Sequence, residues 1–272
     1  MKVREVVDVI LKACNVTTKD KQTRLVETCD KLIAGDWDCE VTGIVTTFIA
    51  TIDVISDAID KGANLIITHE PTYYNSKDET DWLIADDMYL QKKNLIQENK
   101  INIWRFHDHM HMTEPDLIYS GFDKALNWDD YRIAGAQHCY SIPPTSVQDL
   151  SIYLKEQLSV KVARIIGEEA AIISRVGVLV GGGSLGLGSE IMPMELMQSE
   201  KLEVIVCGEI VEWTLCAYVR DAHQLGMNKS LIILGHNRTE EPGMKYLCEW
   251  LQSLLPSISV WFSEAGEPFS YL

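Results

Sequence analysis

The stretch NLIITHEPTYYN, Asn64 to Asn75, decides how the rest of the sequence is interpreted. The run after Asn64 is apolar and β-branched, which is typical of a strand buried on both faces of a parallel sheet. Pro71 removes a backbone donor, so His69 and Glu70 are predicted at the carboxyl end of this strand. Open α/β sheets bind ligands at that edge. The adjacent imidazole and carboxylate suggest a metal site, but a structural histidine beside an exposed glutamate fits equally well.

Composition limits the classes of function. The 272 residues suffice for one large α/β unit or two smaller domains. A net charge of −16 repels phosphate backbones and anionic membranes, which argues against general nucleic-acid binding. The sequence shows neither a run of ~18 apolar residues nor a signal peptide, so we expect a cytoplasmic protein that does not bind membranes. The seven cysteines form no C-x-x-C pair, which favours reduced thiols rather than metal ligands.

Strands alternate with helices along most of the chain, which predicts βαβ units and mostly parallel sheets flanked by helices. The pattern breaks at Ile142 to Thr145, where two prolines predict a linker. We therefore predict two α/β lobes. One contains residues 1–128 with 229–272, so that the first and last segments share it, and the other contains residues 129–228. An early helix is predicted from Thr23 to Ile33.

Five of the seven histidines lie in three clusters at predicted strand ends. They are His69, His107, His109, His111 and His236. In HDHMH, a continuing strand would place all three histidines on one face. A turn would let the outer two converge while His109 points away. Alternatively, HDHMH is an exposed polar loop whose histidines form no binding site.

The segment GHNRTE follows an apolar strand and carries His236 and Glu240 four residues apart. In a helix or turn, this spacing brings both side chains toward one point. The acidic residues could instead cap the helix.

These motifs together supply nitrogen and oxygen ligands without sulfur, a set that suits zinc, iron, manganese or cobalt. The predicted metal ligands are His69, Glu70, His107, His111, His236 and Glu240.

In order and spacing, the motifs ITHEP, FHDHMH and GHNRTE resemble those of the Nif-three-like family. Its members are dinuclear-metal proteins that carry the name GTP cyclohydrolase I type 2 homologue. In this family the first motif usually reads His-His-Pro, so Glu70 stands in for the second histidine. His111 falls where the family has an aspartate. A neutral imidazole cannot bridge two metals as a carboxylate can, so Glu70 or Glu240 would have to bridge, and a one-metal site stays open.

The glycine-rich turn GGGSLGLGS resembles a loop that lies beside the metal pocket in this family. Its backbone N–H groups could cradle an anion, although an ordinary strand-to-helix turn fits as well. Glu209 matches an acidic position of the family. The expected substrate contacts are Gly182, Gly183, Ser184 and Glu209.

The resemblance implies a hydrolase that binds two divalent transition-metal ions and acts on a nucleotide or a related phosphorylated compound. Glu70 and Glu240 are the expected catalytic bases. It also implies a ring-shaped homo-hexamer. The alternative is a non-catalytic metal-binding scaffold that binds a protein partner.

Overall fold

The computed structural model describes residues 1–16 and 28–272. The chain divides into two compact units, Met1–Gly121 with Gly243–Leu272 and Phe122–Pro242. Among the described residues, each unit contains one five-stranded sheet with helices. This is the α/β fold predicted from the sequence, with sheets that are mixed rather than wholly parallel.

The first unit is built on a sheet of order β1-β4-β3-β2-β10. Its strands are β1 (Lys31–Ala34), β2 (Ile44–Thr47), β3 (Leu65–Thr68), β4 (Asn102–Arg105) and β10 (Val260–Phe262). Strand β1 pairs antiparallel with β4, and the other neighbours are parallel. All four residues of β2, β3 and β4 are buried, as expected for strands covered on both faces. Their carboxyl ends therefore meet at one edge.

The helices of this unit are amphipathic or lie at the edge of the sheet. They are α1 (Val3–Cys14), α2 (Ile52–Asp60), α3 (Asp87–Glu98), α4 (Asp108–Met112) and the start of α5 (Leu117–Leu126). Thr51 caps α2 by accepting a hydrogen bond from Val54 N, and Asp86 caps α3 in the same way from Tyr89 N. These caps satisfy amides that helix starts leave without partners.

The second unit has a sheet of order β5-β7-β8-β9-β6, with parallel pairs at its centre and antiparallel pairs at both sides. Its strands are β5 (Cys139–Ser146), β6 (Arg164–Ile166), β7 (Ile172–Leu179), β8 (Val204–Cys207) and β9 (Ser230–Ile233). Its helices are α6 (Val147–Gln157), α7 (Met192–Ser199), α8 (Ala217–Gln224) and the start of α9 (His236–Leu254). Shorter turns are the 3-10 helices Asp81–Leu83, Asp129–Tyr131 and Gly183–Leu185 and the π-helix Glu212–Cys216.

The division of the chain differs from the predicted lobes. Strand β9 was expected in the lobe of residues 1–128 and 229–272, but it pairs in parallel with β8, in the second unit. The borders lie inside helices α5 and α9, where no composition change marks them.

Two local predictions are corrected as well. The supposed linker at Ile142 to Thr145 lies within strand β5, which tolerates its prolines beside a register shift at an outer strand of the sheet. Part of the helix predicted from Thr23 to Ile33 lies outside the described residues, at 23–27. Its last residues instead belong to strand β1. Among the described helices, none combines the length and apolar character that a membrane crossing requires.

One buried charge gives the first unit a pH-dependent stability. Lys92 is 3% exposed, and its ammonium group donates to the carbonyl of Thr72 at 2.9 Å. Burial lowers its pKa from 10.5 to about 8. Because the folded pKa lies below the unfolded one, folding disfavours the protonated lysine, and this cost is complete below pH 8 and disappears above pH 10.5.

We therefore expect Lys92→Met to raise the free energy of unfolding relative to the native protein by up to about 3 kcal/mol at pH 7. The gain should shrink as the pH rises from 8 to 10.5. Urea denaturation of both proteins across this range measures the difference. A difference that does not change with pH would contradict the prediction.

Candidate metal centre

The first predicted ligands follow strand β3 directly. The amide of His69 donates to Thr47 O at 3.2 Å, and the amide of Glu70 donates to Phe48 O at 2.9 Å. Both residues are therefore fixed by the backbone of the neighbouring strand, whatever their side chains do. His69 is fully buried, and Glu70 is half-buried.

The HDHMH segment turns into helix α4 immediately after His107, so it does not continue strand β4. His107 and His111 approach each other, with ring centroids 5.0 Å apart. His109 points away from them, and its Nδ1 lies 2.6 Å from a carboxylate oxygen of Asp30. Of the two possibilities considered for this segment, the turn is the one that forms.

The side chains of His69, His107 and His111 form a compact group. The ring of His69 stacks on that of His107 at 4.4 Å between centroids and meets that of His111 edge-on at 5.2 Å. One ligand atom from each residue lies within 4.8 Å of the other two. Three imidazoles this close can bind one divalent transition-metal ion.

Each of these three imidazoles has an oxygen next to its Nδ1. His69 Nδ1 lies 3.3 Å from Phe106 O, His107 Nδ1 lies 2.9 Å from Asp108 Oδ1, and His111 Nδ1 lies 2.9 Å from Asp116 Oδ2. With Nδ1–H donating to these oxygens, each Nε2 keeps its lone pair. Metal-binding histidines are held in this way, because the second nitrogen fixes the tautomer and the ring orientation.

Asp108 and Cys29 extend this support. The amide and the thiol of Cys29 donate to the two carboxylate oxygens of Asp108 at 2.9 and 3.3 Å. Burial raises the pKa of Asp108, but hydrogen bonds from His107 and Cys29 outweigh it and hold the pKa well below its usual range. Burial raises the pKa of the Cys29 thiol to about 12. Cys29, His107 and Asp108 are also close enough to form a second group of potential ligands, but the protonated thiol suits the donor role better.

Glu70 lies between an imidazole and a buried cation. Its Oε1 is 3.7 Å from His107 Nε2, and its Oε2 is 3.9 Å from a guanidinium nitrogen of Arg105. Arg105 is 5% exposed and donates to Ser76 O at 2.7 Å, so its position is fixed. A fixed positive charge therefore faces Glu70 and offsets part of the cost of its half-buried position.

The second unit carries the other two predicted ligands. His236 begins helix α9, and its Nε2 lies 2.9 Å from Oε2 of Glu240, one turn later. Its Nδ1 lies 3.1 Å from Oε1 of Glu209. The imidazole is thus held between two carboxylates, one of them buried and one half exposed.

The glycine-rich turn packs against this pair. Gly181 donates its amide to Thr239 Oγ1 at 2.9 Å and accepts at 2.8 Å from the amide of Glu209. Gly182 precedes a single 3-10 turn that contains Gly183 and Ser184. Ser184 is buried, and its hydroxyl donates to Glu209 O. In this unit the turn therefore fixes the backbone of Glu209.

Gly181 can be tested directly, because its φ of +53° and its surroundings both exclude a side chain. A Cβ there would lie 1.8 Å from Oε1 of Glu240 and 2.9 Å from Nε2 of His236. We expect Gly181→Ala to lower the free energy of unfolding by about 2–4 kcal/mol, through a strained backbone and a displaced Glu240. Chemical denaturation measures this loss.

The matched control is Gly188→Ala in the same turn. Its φ is +99°, but a Cβ there meets nothing within 4 Å, so only backbone strain remains. Equal losses in the two variants would show that the contact with Glu240 contributes nothing.

Each of the two units therefore holds part of the predicted ligand set. The first unit holds His69, Glu70, His107 and His111, and the second holds His236 and Glu240. That all six share one centre stays a prediction. Sequence reasoning missed the supporting residues Asp30, Asp108, Asp116 and Arg105. Asp108 sits inside HDHMH and could have been found as a partner for its histidines. Arg105 and Asp116 lie within five residues of this segment, whereas Asp30 lies 77 residues before His107.

Comparison with known proteins gives consistent matches over the whole chain. The family model described as Duf34/NIF3 (NGG1p interacting factor 3) matches residues 1–268. A GTP cyclohydrolase 1 type 2 homolog from Clostridium acetobutylicum is 27% identical over 260 residues, covering 91% of both chains. The homolog of the same name from Clostridium perfringens is 24% identical, covering 100% of both chains.

Solved structures share the fold. A Bacillus cereus protein related to NIF3 superposes with a TM-score of 0.74 at 15% identity, covering 100% of this chain and 99% of that one. A Staphylococcus aureus protein gives a TM-score of 0.73 at 21% identity, with the same coverage. At these identities, the likeness concerns the fold alone.

Proposed function

Because this chain belongs to the Duf34/NIF3 family, we propose that it is a divalent-metal-dependent hydrolase acting on a nucleotide or a related small phosphorylated compound. The relatives named GTP cyclohydrolase 1 type 2 homolog support a nucleotide such as GTP as the first substrate to test. One observation carries the proposal. Three imidazoles converge within 4.8 Å, and each has an oxygen beside its Nδ1.

The residues present fit a transition-metal ion. In the first unit, His69, His107 and His111 would hold it through Nε2, with Glu70 as an oxygen ligand. His236 and Glu240, in the second unit, are the remaining members of the ligand set predicted for two ions per chain. Imidazole and carboxylate ligands without thiolate suit zinc, iron or manganese and do not suit calcium. When bound, such an ion polarises a substrate oxygen and makes water a stronger acid.

The protein side chains would orient the reactants and move protons. Glu70 is the proposed general base of the first unit, because one of its oxygens could bind the ion while the other accepts a proton. Arg105, with a guanidinium nitrogen 3.9 Å from Oε2 of Glu70, is the cation that faces this carboxylate. Glu240 is the corresponding base in the second unit, where His236 is held between it and Glu209. Gly182, Gly183 and Ser184 are proposed to line the substrate path beside Glu209.

The test is turnover by tag-free protein reconstituted separately with Zn²⁺, Mn²⁺ and Fe²⁺. Metal content is measured by mass spectrometry, and hydrolysis of GTP, other nucleotides and phosphoesters by chromatography. We expect turnover that a chelator abolishes and re-added metal restores. Glu70→Gln should lower kcat by about 10²–10⁴, the range of general base catalysis. The control is Glu98→Gln, which makes the same chemical change at an exposed residue at the end of α3 and should leave kcat unchanged.

Metal retained without turnover on any of these substrates would reject the hydrolase. It would favour the alternative function inferred from the sequence, a metal-binding scaffold for a protein partner. The homo-hexamer implied by the family resemblance is a separate prediction, which light scattering tests.

A further inference from the structure

The first unit contains a cavity of about 650 Å³ that involves none of the predicted metal ligands. Helix α3 forms one side, and strand β1 with the loop after it forms the other. The volume lies within the ~300–1,000 Å³ typical of small-molecule sites. Its lining combines a buried apolar floor with a polar rim, which is the composition of such sites.

Aromatic and aliphatic side chains form the floor. Tyr73, Tyr89, Ile96 and Ile101 are each between 2% and 6% exposed. The two tyrosine rings meet edge-on with centroids 5.3 Å apart, which leaves them in a fixed arrangement. An apolar group of moderate size would gain from entering this floor, because it would leave water.

Two lysines lie on the rim of the cavity, one on α3 and one just after the end of this helix. Lys93 and Gln97 lie one helical turn apart on α3, Lys100 follows the end of the helix, and all three line the cavity. Lys93 Nζ lies 5.6 Å from the centroid of the Tyr89 ring. In the part of the chain that the structure describes, neither lysine forms an ion pair with a carboxylate.

The carboxylates of the lining are largely engaged elsewhere. Asp78 accepts two backbone amides at 2.7 Å and lies 3.8 Å from Arg105. Asp38 pairs with Lys2 at 3.1 Å and with Arg4 at 2.7 Å. Among the described lining residues, Asp36 is then the one carboxylate that is not paired with a cation outside the cavity, and two lysines line the same rim. With the two paired carboxylates set aside, positive charge is in excess at this rim, although the chain carries a net charge of −16.

The loop after β1, which forms the wall opposite α3, is held in place by close packing on Asn102. Gly35 has a φ of +102°, and a Cβ there would lie 2.2 Å from Oδ1 of Asn102. That oxygen accepts the amide of Asp36 at 2.8 Å, and Asn102 itself is 1% exposed. The loop can approach so closely because position 35 is glycine. A ligand would therefore enter a formed site without ordering this wall first.

We propose that this cavity binds a small monocarboxylate with an aromatic or branched aliphatic body. The apolar body packs on the tyrosines and isoleucines of the floor, and the carboxylate lies at the rim between Lys93 and Lys100. The site is independent of the hydrolase proposal, since it uses other residues of the first unit.

The probe is 4-phenylbutyrate, compared with its neutral amide, 4-phenylbutyramide, by isothermal titration calorimetry. We expect one saturable site for the carboxylate and binding of the amide at least about tenfold weaker, a difference that Kd values resolve directly. The double variant Lys93→Gln/Lys100→Gln should weaken carboxylate binding by about tenfold or more and leave amide binding unchanged. The control Lys155→Gln/Lys161→Gln makes the same charge change in the second unit.

A second variant tests the place of binding. Ala34→Leu puts a larger side chain into the cavity from strand β1 and should weaken both probes. Circular dichroism and the thermal midpoint establish that each variant is folded, and Lys93 and Lys100 stand at the rim, where glutamine is tolerated. No saturable binding, equal affinity for carboxylate and amide, or equal losses in the two double variants would overturn the proposal.

Discussion

Replacing His107 with Ala is expected to remove the metal ion of the first unit. His107 contributes the central imidazole, which stacks on His69 and lies edge-on to His111. Metal content should fall by about one equivalent per chain. The stabilisation by saturating metal, about 3–4 kcal/mol at ~100–1,000 times Kd, should fall with it. Mass spectrometry and thermal unfolding with and without metal measure both effects.

The matched control is His109→Ala, two residues later and inside helix α4. His109 faces Asp30 rather than the group, so its loss should leave metal content unchanged. If both variants lose the same amount of metal, then all three histidines of HDHMH face the ion, as an extended strand would present them.

Replacing Asp30 with Ala is expected to destabilise the first unit more than any other change considered. This side chain is 3% exposed. Its Oδ1 accepts the amides of His107 and Asp108 at 2.6 and 2.8 Å. Its Oδ2 accepts the amide of His109 at 3.0 Å and contacts the imidazole of that residue at 2.6 Å. Alanine would leave the first amides of helix α4 without acceptors, so we expect a loss of about 3–5 kcal/mol in the free energy of unfolding.

Urea denaturation of the metal-free protein measures this loss without a contribution from bound ions. Asp30→Asn is the informative companion, because it keeps one acceptor oxygen and should lose less than Asp30→Ala. Metal binding should weaken in both, since α4 carries His111 and begins beside His107. A change within about 0.5 kcal/mol for Asp30→Ala, as at ordinary surface sites, would show that α4 does not depend on this cap.

The sequence predicted the strand-end positions of the histidines well, and the reason is physical. Short β-branched runs such as Leu65–Thr68 have one common use, as buried strands, so the polar residues after them must lie at the sheet edge. The family was also predicted, because three motifs in fixed order are specific. The α/β class followed from the alternation of strands and helices and is confirmed.

Other features could not be predicted, because they depend on pairings between distant segments. Whether HDHMH would turn was undecided from periodicity, and Asp30, 77 residues before His107, settles it by capping the new helix. The membership of Ser230–Ile233 in the second sheet depends on its neighbour β8 and not on its own composition. The prolines of β5 suggested a linker because register shifts within a sheet leave no local mark.

The backbone at His69 and Glu70 has a consequence for the metal-free state. Their amides bond to Thr47 and Phe48, and the amide of Phe106 bonds to Thr68 O at 2.9 Å, all without side-chain participation. Small zinc domains fold only when they bind metal, because the ion replaces a core. Here the sheet already supplies the order. Deuterium uptake at these amides should therefore already be slow in the metal-free protein, and this part of the sheet should stay folded whether or not ions are bound.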